Sequence, residues 1–137
     1  MAPPRKRTKK TSRATNAAPD ERRRVFPIVG IGASAGGMEA FGQMLERLPG
    51  DTGMAFVFIQ HLHPGYDSAL VDILSRHTAM PVLEAGNDME VEPNSVYVIP
   101  PGSYLAIENG VLALLPRPER HEPRLPVDQF FRYLAAD

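Results

Sequence analysis

An open, doubly wound α/β sheet, mostly parallel, is the fold class that the sequence predicts, and three observations predict it. Strand-like and helix-like segments alternate from Phe26 onward. Two apolar runs, "FPIVGIGA" and "MAFVFIQ", are too short for helices and have the unbroken apolar character of strands covered on both faces. Between them lies a stretch with helical periodicity. Strand, helix, strand, helix, strand in that order calls for parallel pairing with right-handed crossovers.

The elements follow in order. After the glycines that end "IVGIGASAGG", Met38, Phe41, Leu45 and Leu48 recur at helical spacing until Pro49-Gly50 stops the helix. The second strand, residues 54–60, runs into "QHLHPG". Asp67 is placed to cap a helix from Ser68 to about His77, with Leu70, Val71 and Leu74 inward, and "MPVLEA" supplies a short third strand. Beyond it, "SVYVIPPGSYLAIENGVLALLP" is expected to form short antiparallel strands, with Asn109-Gly110 as a tight hairpin turn. A last helix, "VDQFFRYLAA", puts Phe130, Phe131 and Leu134 at amphipathic spacing. A doubly wound sheet calls for further strands after such a helix, so the sheet is expected to be incomplete at its C-terminal end, with unpaired backbone at an edge.

Composition narrows the chemistry. The 137 residues suit one domain, and zero cysteines exclude disulfides, thiolate metal sites and a cysteine nucleophile. Residues 1–24 hold nine of the fifteen Lys and Arg and only two acids, while the other 113 residues carry six bases against fourteen acids. The head has almost nothing apolar to bury and reads as a disordered basic tail preceding a folded unit over residues 25–137. The acidic body argues against nucleic-acid binding, and the tail is read as solvated or as touching that body. No apolar run is long enough for a bilayer span or a secretory signal, so a cytoplasmic protein is expected.

The glycine turn admits two readings. Gly30-Ile31-Gly32-Ala33-Ser34-Ala35 fits the dinucleotide fingerprint G-x-G-x-x-G/A, and Gly32-Ala33-Ser34-Ala35-Gly36 fits the nucleophile elbow G-x-S-x-G. A dinucleotide site wants an acid at the end of the second strand for the ribose hydroxyls, and here that strand ends in Gln60-His61. Loops leaving neighbouring parallel strands share one crevice, so the fold predicted above brings Ser34, after strand one, together with His61, at the end of strand two. A neutral imidazole takes the proton of a serine hydroxyl near pH 7, and the helix N-terminus behind the turn offers backbone N–H groups, that of Ala35 among them, to an oxyanion. Ser34 and His61 are therefore the candidate catalytic pair. His61 and His63 could instead form half of a metal site, but no third ligand at suitable spacing follows, and no cofactor is expected. His77 reads as a helix-terminal dipole partner and His121 as a loop residue.

The segments "IVGIGASAGGMEA", "FVFIQHLHPGYDSAL", "PVLEAGNDMEVEPNSVYVIPPGSYLAI" and "PVDQFFRYLA" resemble, in order and spacing, the catalytic domain of the CheB-type chemotaxis protein-glutamate methylesterases. The resemblance covers about Phe26 to Asp137. It implies a Rossmann-like sheet, hydrolysis of glutamyl methyl esters and deamidation of glutamines on chemoreceptors, and a Ser-His-Asp triad in which Ser34 is the nucleophile and His61 the base. Four departures stand out. The glycine-rich "GMGxDG" segment that carries the family's triad aspartate has no counterpart, and Asp128 matches a different motif, "SVD". Ala35 replaces a frequent threonine, Pro126 replaces the serine of "SVD", and a basic tail stands where classical members have a receiver domain. Fusions of such a domain to a CheR-type methyltransferase share the "GASAGG" turn, which makes that methyltransferase a candidate partner. The resemblance thus implies a partial methylesterase domain with little activity by itself, the alternatives being a non-catalytic module that docks on receptor or methyltransferase and, third, a nucleotide-binding domain.

Overall fold

The computed structural model describes residues 26–34, 36–60, 69–116 and 125–137. Four strands form a parallel sheet: β1 (Ile28–Ala33), β2 (Ala55–Gln60), β3 (Val82–Glu84) and β5 (Val96–Val98), in the spatial order β1-β2-β5-β3. A second, antiparallel sheet is made of β4 (Met89–Glu90), β6 (Tyr104–Glu108) and β7 (Val111–Leu115), in the order β4-β7-β6. Three helices complete the described residues: α1 (Gly37–Arg47), α2 (Leu70–Ser75) and α3 (Pro126–Ala136).

Each face of the parallel sheet has its own core. Alternate residues of a strand point to opposite faces, so Phe56 and Phe58 of β2 go one way and Ala55, Val57 and Ile59 the other. The first set packs with Phe41 and Leu45 of α1 and Leu70 and Leu74 of α2, and the rings of Phe41 and Phe58 stack with centroids 4.7 Å apart. The second set packs with Phe130 of α3 and with Leu105, Ile107 and Leu112 of the antiparallel sheet. Full burial of each large side chain contributes about 1.5–3 kcal/mol, which makes β2, buried along nearly its whole length, the centre of both cores.

Several sequence expectations need correcting. Residues 96–98 were expected to lie in an antiparallel pair, but β5 is a parallel strand inserted between β2 and β3: Val96 pairs with Phe56 on one side and Val82 on the other. All three of its residues are buried, and a run that short has the same apolar pattern in either kind of sheet. α2 stops at Ser75, two residues before the expected end, because Arg76 and His77 donate to the carbonyls of Ile73 and Leu74 in a tightened final turn. The proposed cap Asp67 lies outside the described residues. The expected hairpin is present, with Asn109 at φ 51° and Gly110 at φ 72°, joining β6 to β7. β1 occupies one outer position of the parallel sheet among the described residues.

Buried Tyr97 ties the sheets together. Its hydroxyl accepts from the Glu92 N–H at 2.8 Å and donates to the Glu90 carbonyl at 3.4 Å, fixing β4 against β5. Asn87 adds a second tie by accepting from the Leu114 N–H at 3.2 Å.

Candidate active site

Ser34 follows directly on β1 and is exposed at the C-terminal end of the parallel sheet. Its carbonyl accepts from the Gly37 N–H at 3.0 Å, which closes the turn into α1. Gly36, at φ 84°, is the N-cap, and among the described residues no side chain caps the helix, which leaves its first-turn N–H groups beyond Gly37 without a side-chain acceptor there. The turn is tight. A Cβ on Gly37 would collide with the Cβ of Ala33, so only glycine lets the helix start this close to its strand.

Gly30 and Gly32, the glycines that open the dinucleotide fingerprint, have another use. On the face of β1 that meets α3, a Cβ on Gly30 would lie 2.6 Å from Phe131 Cε1 and 2.9 Å from Leu134 Cδ2, and one on Gly32 would collide with Val127. Val127, Phe131 and Leu134 share one helical face, and they run along β1 in the reverse direction, from Gly32 toward Gly30. The two glycines are thus a groove for α3. The N-terminus of α3 consequently lies at the Ser34 end of β1.

β2 brings its own C-terminal end to the same place. Ala33 is paired with Gln60 in the parallel register, so the residue before Ser34 sits beside the residue before His61. Gln60 is partly buried, and its Oε1 is enclosed with no hydrogen-bond partner among the described residues. His61, Ala35, His63 and His121 lie outside the described residues. His77 belongs to a different region: its Nδ1 is 2.6 Å from Glu46 Oε1, an ion pair between the ends of α1 and α2 when the imidazole is protonated, and its ring packs over Gly42. Its main partner is therefore Glu46 across the helix pair, not only the dipole of its own helix. Among the described residues no three His, Cys, Asp or Glu side chains come together as a metal site, and no helix is long and apolar enough to cross a membrane.

Residues 29–137 match the family model of the CheB methylesterases. The chain belongs to the CheB methylesterase family. Among curated relatives, the protein-glutamate methylesterase FrzG of Myxococcus xanthus is 38% identical over 82 residues, covering 60% of this chain and 25% of that protein. A protein-glutamate methylesterase/protein-glutamine glutaminase of Mesorhizobium japonicum is 35% identical over 129 residues, 93% of this chain and 37% of the relative. The solved CheB methylesterase catalytic domain of Thermotoga maritima superposes with a TM-score of 0.68 at 29% identity, covering 80% of this chain and 60% of that one. The fold is that of the CheB catalytic domain, a parallel sheet with helices plus an antiparallel sheet. The chain spans about a quarter to a little over a third of the curated relatives just described.

Sequence reasoning missed the α3 groove and the enclosed Gln60. The signal for the first was present: two glycines at alternate positions of an apolar strand, and bulky residues at i, i+4 and i+7 of a later helix.

Proposed function

We propose that this protein is a protein-glutamate methylesterase, hydrolysing glutamyl methyl esters and deamidating glutamines on chemoreceptors, with Ser34 as nucleophile and His61 as general base. Ser34 Oγ attacks the ester carbonyl carbon while His61 takes the hydroxyl proton. The Ala35 N–H, with free N–H groups of the α1 turn, stabilises the oxyanion. The tetrahedral adduct collapses, methoxide leaves as methanol with the proton from His61, and water deprotonated by His61 hydrolyses the acyl-serine to glutamate and free Ser34. The observation that carries this reading is the register of β1 on β2: exposed Ser34 follows Ala33, and His61 follows Ala33's partner Gln60.

Residues 25–137 make up a partial catalytic domain in this proposal and residues 1–24 a basic tail outside it. Within the 137 residues no third triad member is identified, since Asp128 belongs to a separate motif. Loss of the triad acid alone costs about 10⁴ in turnover and leaves the serine and histidine in place. The test is methanol release from a methylated receptor by the 137-residue protein. The expected rate is at most about 10⁻⁴ of that of a complete triad. Fast release abolished by Ser34→Ala would overturn the two-member part. Receptor binding with a Ser34 hydroxyl that reacts with no acylating or phosphonylating reagent would favour the non-catalytic docking module.

A further inference from the structure

β2 departs from its own pattern at its last residue. Alternate residues of a strand share a face, so Gln60 lies on the side of Phe56 and Phe58, the side covered by α1 and α2. An apolar residue there would extend that core. The amide instead encloses its Oε1 with no donor among the described residues, and an acceptor buried in that state lowers stability.

The position is that of the serine turn. Gln60 pairs with Ala33, and both side chains lie on the α1 face, so the amide stands beside the Ala33 methyl group at the spacing of neighbouring strands. That methyl group in turn fills the space where a Gly37 Cβ would be, at the first residue of α1. Amide, methyl group and helix start therefore form one row beside the turn that carries Ser34. In that turn the N–H groups of Gly37 and Ala40 donate to the carbonyls of Ser34 and Gly36, whereas those of Met38 and Glu39 have no acceptor among the described residues. An acceptor lacking a donor and donors lacking an acceptor thus meet at one helix start.

We infer that Gln60 is a positioning residue for Ser34: its amide sets the serine turn, with Oε1 held as the acceptor for one α1 first-turn N–H once a substrate group is attached to Ser34. The inference rests on Ser34 being the nucleophile. Enclosed as it is, Oε1 touches no substrate and acts through Ala33 and the start of α1. The free protein carries an unpaired acceptor and the covalent adduct pairs it, so the difference between the two states favours reaction. A purely structural amide would behave otherwise, because its removal would lower the stability of the free protein and of the adduct alike.

In the experiment, the 137-residue protein and its Gln60→Met variant are labelled at Ser34 with an uncharged fluorophosphonate over a range of concentrations, and each is melted before and after labelling. Gln60→Met is expected to melt higher than the parent before labelling. Its maximal labelling rate is expected to fall about 10- to 100-fold, the loss that a small misplacement of a reacting group brings, while the half-saturating concentration stays unchanged. The rise in melting temperature on labelling is expected to be smaller in Gln60→Met than in the parent, because only the parent gains a hydrogen bond to Oε1. A variant that labels as fast as the parent overturns the inference, and so does an equal rise in the two proteins. A variant that melts lower before labelling, or fails to fold, makes the amide a structural group and overturns it too. These three outcomes leave the nucleophile reading standing. A folded parent protein that takes up no label at Ser34 overturns the nucleophile reading, and the inference with it.

Discussion

The two faces of β1 are built in opposite ways. Toward α1, the strand presents Val29, Ile31 and Ala33, which pack with the α1 and α2 core in the usual manner of side chain against side chain. Toward α3, it presents Ile28 and then two bare positions, Gly30 and Gly32, into which Val127, Phe131 and Leu134 press. On one face the strand supplies the bulk, and on the other the helix does. The contrast shows that a phosphate-type fingerprint can arise from helix packing alone, and it removes the need for a nucleotide to explain those glycines.

The comparison can be broken or sharpened by substitution. The largest effect is expected on the first face, where Phe58→Ala should cost about 3–5 kcal/mol in denaturant unfolding, because it empties the stack with Phe41 at the centre of the core. On the second face the sign of the size change reverses. Gly32→Ala should cost about 1–3 kcal/mol by overpacking, and Val127→Ala in the same molecule should recover much of that loss. A cycle with no coupling between the two positions would mean that the groove account is wrong. Between the faces, at the end of β2, Gln60→Met should stabilise the fold by about 1–2 kcal/mol, since it removes an enclosed carbonyl oxygen that lacks a donor among the described residues. A lower melting temperature for that variant would show that the amide has a partner. The smallest effect belongs to the helix pair: His77 and Glu46 are 33% and 55% exposed, so their coupling in a double-mutant cycle should stay under about 1 kcal/mol and weaken with salt.

Much of the fold was legible because the strongest signals are periodic. "IVGIGA", "AFVFIQ" and the Met38, Phe41, Leu45 pattern gave β1, β2 and α1, and Asn109-Gly110 gave the hairpin through its backbone preference. Residues 96–98 were misassigned because a three-residue buried strand carries no information about its partners: only the tertiary fit between β2 and β3 makes it parallel. The two-residue β4 was invisible for the same reason, being held by pairing with β7 and by Tyr97 rather than by its own composition. At the site, the placement of Ser34 followed from the elbow-like turn, whereas the convergence of α3 on it depended on contacts some hundred residues apart in sequence. Neighbouring strand ends brought Ser34 and His61 into consideration, and the pairing of Ala33 with Gln60 is the described part of that reasoning.

Labelling of the 137-residue protein with an uncharged fluorophosphonate, followed by peptide mapping, tests the central claim that the glycine turn presents a nucleophile. The account predicts a single adduct on Ser34 that is lost in Ser34→Ala and slowed at least about 100-fold in His61→Ala, the range of a general base. Protein that unfolds cooperatively yet takes up no label, and is protected against heat by a dinucleotide, would contradict it.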